Sequence, residues 1–158
     1  MRKLHLLLLL FGFLSYSQQN VPNIKTTSID GKTVSIQSDF IEKDKLYIFS
    51  FWATWCSPCI QELDAINDVY EDWKKNLNVE LIAVSTDDSR TQKRVKPLVN
   101  GKGWSYTILL DTNQEFKRSL GISNIPYLIV IKNGKIVFTE NGHTPGNEDK
   151  LFEKLKSL

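Results

Sequence analysis

Both cysteines of this chain fall within one nine-residue stretch, Phe51-Trp52-Ala53-Thr54-Trp55-Cys56-Ser57-Pro58-Cys59. A strand-like apolar run, residues 46–52, leads in. A helical pattern leads out, with Ile60, Leu63, Ile66, Tyr70, Trp73 and Leu77 at spacings of three and four. Cys56 is therefore expected where a buried strand gives way to a helix. There the first backbone N–H groups have no helical partner and the helix dipole is positive. Such a place stabilises a thiolate, which is the nucleophilic form of cysteine. In Cys-X-X-Cys motifs the thiol pKa falls from about 8.5 to roughly 3.5–7.5. Cys59, one turn on, can close a disulfide with Cys56. Pro58 suits a first turn, where its missing N–H would have gone unpaired.

Other uses of a lone Cys-X-X-Cys fit less well. Structural zinc needs about four ligands. The only ligands of that kind outside the pair are His5 and His143. Haem attachment needs histidine after the second cysteine, and that residue is Ile60. A static disulfide here would close a very short loop, which the chain-entropy model stabilises least. Redox exchange is the reading that fits the spacing, and no cofactor is expected.

The N-terminus carries its own signal. Met1-Arg2-Lys3 is basic, residues 4–14 are strongly apolar, and Ser15-Tyr16-Ser17 offers small residues for cleavage. This pattern reads as a secretory signal peptide over residues 1–17. The apolar run is short of the ~20 residues that span a bilayer. Removing Arg2 and Lys3 from 20 basic residues leaves 18 against 18 acidic ones, so a nucleic-acid partner has no electrostatic support. Export places the dithiol in an oxidising compartment, expected to be the periplasm. Small domains there usually carry structural disulfides, and this one has no cysteine to spare for them.

Residues 18–24 are polar and expected to be flexible. Residues 25–36 read as a hairpin with Asp30-Gly31 at its turn. Buried strands are expected at 45–52 and 78–85, and a shorter one at 106–110. A long helix follows Cys59 to about residue 75. A second covers 90–99 and stops at Asn100-Gly101-Lys102-Gly103. Thr86-Asp87-Asp88-Ser89 reads as its start. Asp111 and Thr112 are placed to cap a short helix carrying Phe116. Strands 127–131 and 136–140 flank an Asn133-Gly134 turn, and a last helix spans 148–157. The cluster Lys93, Arg94, Lys96 and Lys102 reads as a solvated helix face. The whole is one α/β domain over residues 25–158, a mixed central sheet with helices on both faces. A monomer is expected.

This pattern resembles the thioredoxin superfamily, and within it the exported TlpA/ResA-like thiol–disulfide oxidoreductases. The segment 51–59 carries the likeness, together with Glu62 three residues after Cys59, Ile125-Pro126 before a strand, and the N-terminal β-hairpin. The resemblance implies a thioredoxin-like fold and a catalytic set of Cys56, Cys59 and Glu62. It also implies a cis-proline at Pro126, leaving the Ile125 backbone free to pair with an extended substrate. Thioredoxin keeps a buried aspartate six residues before its first cysteine, and here that position is Ser50. Glu62 is the obvious substitute as proton acceptor for Cys59, because burial raises a carboxyl pKa toward neutrality. The bland alternative is a glutamate in the first turn, stabilised by the helix dipole. Trp52 and Trp55 are expected to pack, with Trp55 also shielding Cys56 and contacting substrate. His143 is read as a surface loop residue with no role. The family implies an exported client with a disulfide or cysteine pair, such as apocytochrome c, and a membrane thiol reductant as electron donor. A peroxidase of the related peroxiredoxin type would need threonine and proline where this chain has Ala53 and Phe49. A copper carrier would need wider cysteine spacing and a histidine ligand, for which only His143 is available. A non-catalytic binding domain with a relict dithiol is the remaining alternative.

Overall fold

The computed structural model describes residues 19–158, so the expected signal peptide lies outside the described residues. The strands are β1 (Lys25–Ser28), β2 (Thr33–Ser35), β3 (Leu46–Trp52), β4 (Val79–Ser85), β5 (Thr107–Leu110), β6 (Tyr127–Lys132) and β7 (Lys135–Asn141). The helices are α1 (Ile36–Asp39), α2 (Ser57–Asn76), α3 (Val95–Lys102), α4 (Glu115–Ser119) and α5 (Asn147–Lys156). The seven strands form one mixed sheet in the order β2-β1-β5-β4-β3-β6-β7. β3, β4 and β5 run parallel, and the other pairings are antiparallel.

The centre of the sheet is buried on both faces, which is why β3 is apolar almost throughout. Alternation then sorts its residues. Leu46, Ile48 and Trp52 pack with Leu63, Ile66 and Trp73 of α2 and Leu151 of α5. Tyr47, Phe49 and Phe51 pack on the other face with Phe40 and with Phe116 of α4. Crossovers β3-α2-β4 and β4-α3-β5 step the same way along the sheet. With right-handed connections, α2 and α3 therefore share a face. One position on that face breaks the apolar rule: Ser50, fully buried between Ile48 and Trp52.

The structure refines the expected boundaries. α3 runs through Asn100 and Gly101, and ends at Gly103, whose left-handed φ of 66° terminates it. Pro97 lies inside its first turn, where a missing N–H is harmless. A single 3₁₀ turn, Gln92–Arg94, precedes it. Asp111 caps α4 from outside, its carboxylate accepting the Phe116 and Lys117 N–H groups. The segment expected to be flexible is docked from Gln19 onward. Asn20 bridges Lys135, the Val21 N–H donates to the Gly134 carbonyl, and Val21 is buried. Valine at 21 supplies an apolar anchor that the polar average of this stretch conceals. In the basic cluster, Lys102 pairs with Asp64 at 2.6 Å and Lys96 lies 3.7 Å from Asp30, as befits a solvated face.

Candidate active site

β3 ends at Trp52, and the chain turns through Ala53, Thr54 and Trp55 into α2. Cys56 is the N-cap of that helix, with Ser57 and Pro58 in its first turn. The Cys56 N–H donates to the Ala53 carbonyl at 3.0 Å, and its own carbonyl accepts the Ile60 N–H at 3.1 Å. Cys56 and Cys59 are joined as a disulfide, with Cα atoms 5.3 Å apart. The two sulfurs are not equivalent. Cys56 keeps 6% of its surface exposed and Cys59 none.

A buried carboxylate fixes the turn. Asp87, at the C-terminal end of β4, is 1% exposed. Its carboxylate accepts the Thr54 N–H at 2.8 Å, the Thr54 hydroxyl at 2.6 Å and the Ser85 hydroxyl at 2.9 Å. The sequence reading placed Asp87 in a helix start. That job falls to Asp88, which accepts the Arg90 and Thr91 N–H groups. No sequence signal separates these adjacent aspartates; only β4's approach to the 53–56 turn does.

Glu62 lies one turn beyond Cys59 on the same buried side of α2. Because the helix begins at Ser57, Glu62 sits in its second turn and not, as expected, in its first. It is 7% exposed, and its Oε1 accepts the Ser50 hydroxyl at 2.7 Å. Burial pushes its carboxyl up to about 7; the Ser50 hydrogen bond opposes this and the charge of Glu140 adds to it. A dipole-stabilised surface glutamate would show none of these features. Ser50 thus occupies the position of the missing aspartate, and its hydroxyl donates to the Glu62 carboxyl.

Register explains the influence of Glu140. Ser50 pairs with Leu128 and Leu128 with Glu140, so the three side chains lie in one cross-strand row on one face. Glu140 is half-buried, its Oε1 accepting the Asn147 amide at 3.1 Å. A small cavity between α2, β6 and α5 is walled by Glu62, Glu140, His143, Asn147 and Glu148. His143 lies in the β7–α5 loop, as expected, but it is half-buried with its Nδ1 facing no partner.

Pairing of Phe51 with Tyr127 brings the Ile125-Pro126 bend level with the end of β3, where the chain turns toward Cys56. Ile125-Pro126 is cis and opens β6. Trp52 packs as expected, edge-on to Trp104 at 5.2 Å. Trp55 does not pack: it is 62% exposed in the turn that precedes Cys56.

The AhpC/TSA family model matches residues 17–142. The chain belongs to the AhpC/TSA family. Cys56, Cys59, Glu62 and Pro126 all lie within the matched part of this AhpC/TSA protein. It is 32% identical over 120 residues to the thiol-disulfide oxidoreductase ResA of Bacillus thuringiensis (strain Al Hakam), covering 75% of this chain and 66% of that relative. To the ResA of B. thuringiensis subsp. konkukian it is 30% identical over 141 residues, 89% of this chain and 77% of the relative. The solution structure of a thioredoxin-like protein from Porphyromonas gingivalis superposes with a TM-score of 0.76 at 43% identity, covering 87% and 90% of the two chains. The fold is thioredoxin-like, as the resemblance implied, and within the AhpC/TSA family the chain groups with the thiol–disulfide oxidoreductases.

Proposed function

We propose that this protein reduces disulfides of exported client proteins through the Cys56–Cys59 dithiol. The observation that carries the reading is the asymmetry of the pair: one sulfur reachable at a helix N-terminus, the other buried one turn from a carboxyl near neutrality. In the reduced protein the Cys56 thiolate attacks one sulfur of a client disulfide. The client S–S bond breaks, a mixed disulfide forms, and one client sulfur leaves as thiolate. Glu62 takes the Cys59 proton, and the Cys59 thiolate attacks the Cys56 sulfur. The mixed disulfide breaks, and the second client sulfur leaves. Two electrons pass to the client, and the protein is left with the closed disulfide seen here.

Trp55, next to Cys56 in the chain, and the Ile125-Pro126 bend, at the same end of the sheet, supply the docking platform. The exposed indole offers a flat apolar contact, and the Ile125 backbone pairs with an extended client segment. The signal-peptide pattern of residues 1–17 supports export and a periplasmic location, and no helix among the described residues is long and apolar enough to cross a membrane. A membrane thiol reductant recharges the dithiol, and the client class is exported proteins with cysteine pairs, apocytochrome c among them. The protein works as a monomer.

The test is a Cys59→Ala trap expressed in cells. A mixed disulfide through Cys56 should accumulate with exported proteins. If no client-linked species forms, the exchange mechanism fails. Equilibration of the dithiol with glutathione decides direction: a potential well below the glutathione pool supports a reductant, and one above it makes the protein an oxidant.

A further inference from the structure

Reaction through Glu62 requires its proton to leave a buried site. Among the described residues, three buried side-chain polar atoms lack a hydrogen-bond partner. Two of them, His143 Nδ1 and Glu148 Oε2, belong to residues that wall the cavity beside Glu62. A buried polar atom without a partner is costly, and two around one cavity indicate a bridging molecule. The cavity measures about 10 Å³ to the centres of water-sized spheres, close to what one water needs. Ile66, Leu128 and Leu151 line its apolar part, and a water placed there has Glu62, His143 and Glu148 as partners. His143 and Glu148 are both half-buried, so each also keeps surface open to solvent.

We propose that this cavity is a one-water proton path, with His143 the positioning residue that links Glu62 to bulk solvent. The inference rests on the reading of Glu62 as the base for Cys59. Glu62 takes the Cys59 proton and passes it to the bridging water. The water gives a proton to His143 Nδ1, and the imidazole releases one from Nε2 to solvent. No bond to sulfur or carbon changes in this path. The neutral imidazole that receives the proton carries its own hydrogen on Nε2.

Facing the cavity are Glu62 on α2, Glu140 on β7 and Glu148 on α5. Lys150 of α5 and His143 both act on Glu140, holding its carboxyl down against a larger upward push from burial. Tyr106 also feels the charge of Glu62, together with that of Asp64. Burial and those charges hold it neutral.

The experiment follows the second release of thionitrobenzoate when reduced protein reacts with Ellman's reagent. Release of the first equivalent reports Cys56. The second reports attack by Cys59 on the mixed disulfide. In weak buffer, His143→Ala and His143→Gln should slow the second phase by roughly ten- to a hundredfold, as for loss of a positioned proton-transfer group. Dissolved imidazole should restore it, with the first phase unchanged. His143→Gln keeps a similar polar bulk, so a loss confined to His143→Ala, or one that imidazole does not rescue, overturns the path. Glu62→Gln separates the two ideas. If it leaves the second phase and its pH profile unchanged, the base assignment fails. If it slows the second phase while both His143 variants keep the wild-type rate, only the path fails.

Discussion

Asp87 and Thr54 are joined twice, through the backbone N–H at 2.8 Å and through the hydroxyl at 2.6 Å. One carboxylate at the end of β4 thereby fixes the turn that delivers Cys56 to the helix N-terminus. Asp87→Ala leaves three donors unpaired, the Ser85 hydroxyl buried and the two of Thr54 partly so, and should cost about 3 kcal/mol, whereas Thr54→Val removes one contact and should cost about 1 kcal/mol. Urea unfolding of the oxidised proteins measures both. Equal, small losses would mean that Asp87 does not brace the turn.

The two thiols should differ sharply once reduced. Cys56, reachable at the N-cap of α2, should alkylate at neutral pH faster than free cysteine. Cys59, fully buried, should be protected in the native protein and react only after unfolding. Iodoacetamide labelling followed by peptide mass analysis reads both. A Cys56 no faster than free cysteine contradicts the nucleophile assignment.

Glu62 should make stability pH-dependent in a known direction. Its carboxyl moves from an ordinary 4.5 to about 7 on folding. Below about pH 4.5 it is protonated in both states, and its contribution to stability is fully present. As pH rises through about 7 it ionises in the fold, and that contribution is lost. At about 1.4 kcal/mol per unit the loss approaches about 3 kcal/mol. Relative to wild type, oxidised Glu62→Gln should therefore gain most of that amount between pH 4.5 and 8.5. A wild-type-to-variant difference that stays flat across this window rules out a raised carboxyl.

Ser50 should tune that carboxyl without replacing it. Its hydroxyl hydrogen bond favours the charged form of Glu62. Ser50→Ala should move the pH midpoint of the second thionitrobenzoate release, the intramolecular attack by Cys59, upward and leave Cys56 alkylation unchanged. A downward movement, or none, breaks the proposed link between β3 and the base.

Trp55 should matter to clients and not to the fold. At 62% exposed it contributes little packing, so Trp55→Ala should change stability by no more than about 0.5 kcal/mol. Insulin reduction should slow severalfold through KM. A large stability loss with unchanged KM would return Trp55 to a structural role.

The sequence carried the fold where local pattern and packing agree. The apolar run of β3, the Asn133-Gly134 turn and the periodicity of α2 each reappear at the expected place. Asn100 and Gly101 misled because a helix stops where left-handed geometry is adopted, and only Gly103 adopts it. The dithiol was legible from its spacing, and Glu62 from the resemblance that the 51–59 segment carries. Asp87, Glu140 and His143 were not, because each reaches the site from another element. Glu140 owes its place to strand register, and His143 to where β7 hands over to α5. The burial of Val21 shows the same limit: composition describes a segment's average, while one side chain decides whether it docks.

The docking of Gln19–Val21 also fixes an orientation. Lys135, the partner of Asn20, is level through β6 with Leu46, where β3 begins, while the dithiol follows the other end of that strand. Seven residues of β3 separate the two levels by about 20 Å. A tether attached ahead of Gln19 would hold the molecule by its opposite pole, with the reactive sulfur pointing away from the point of attachment and open to partners arriving from that side.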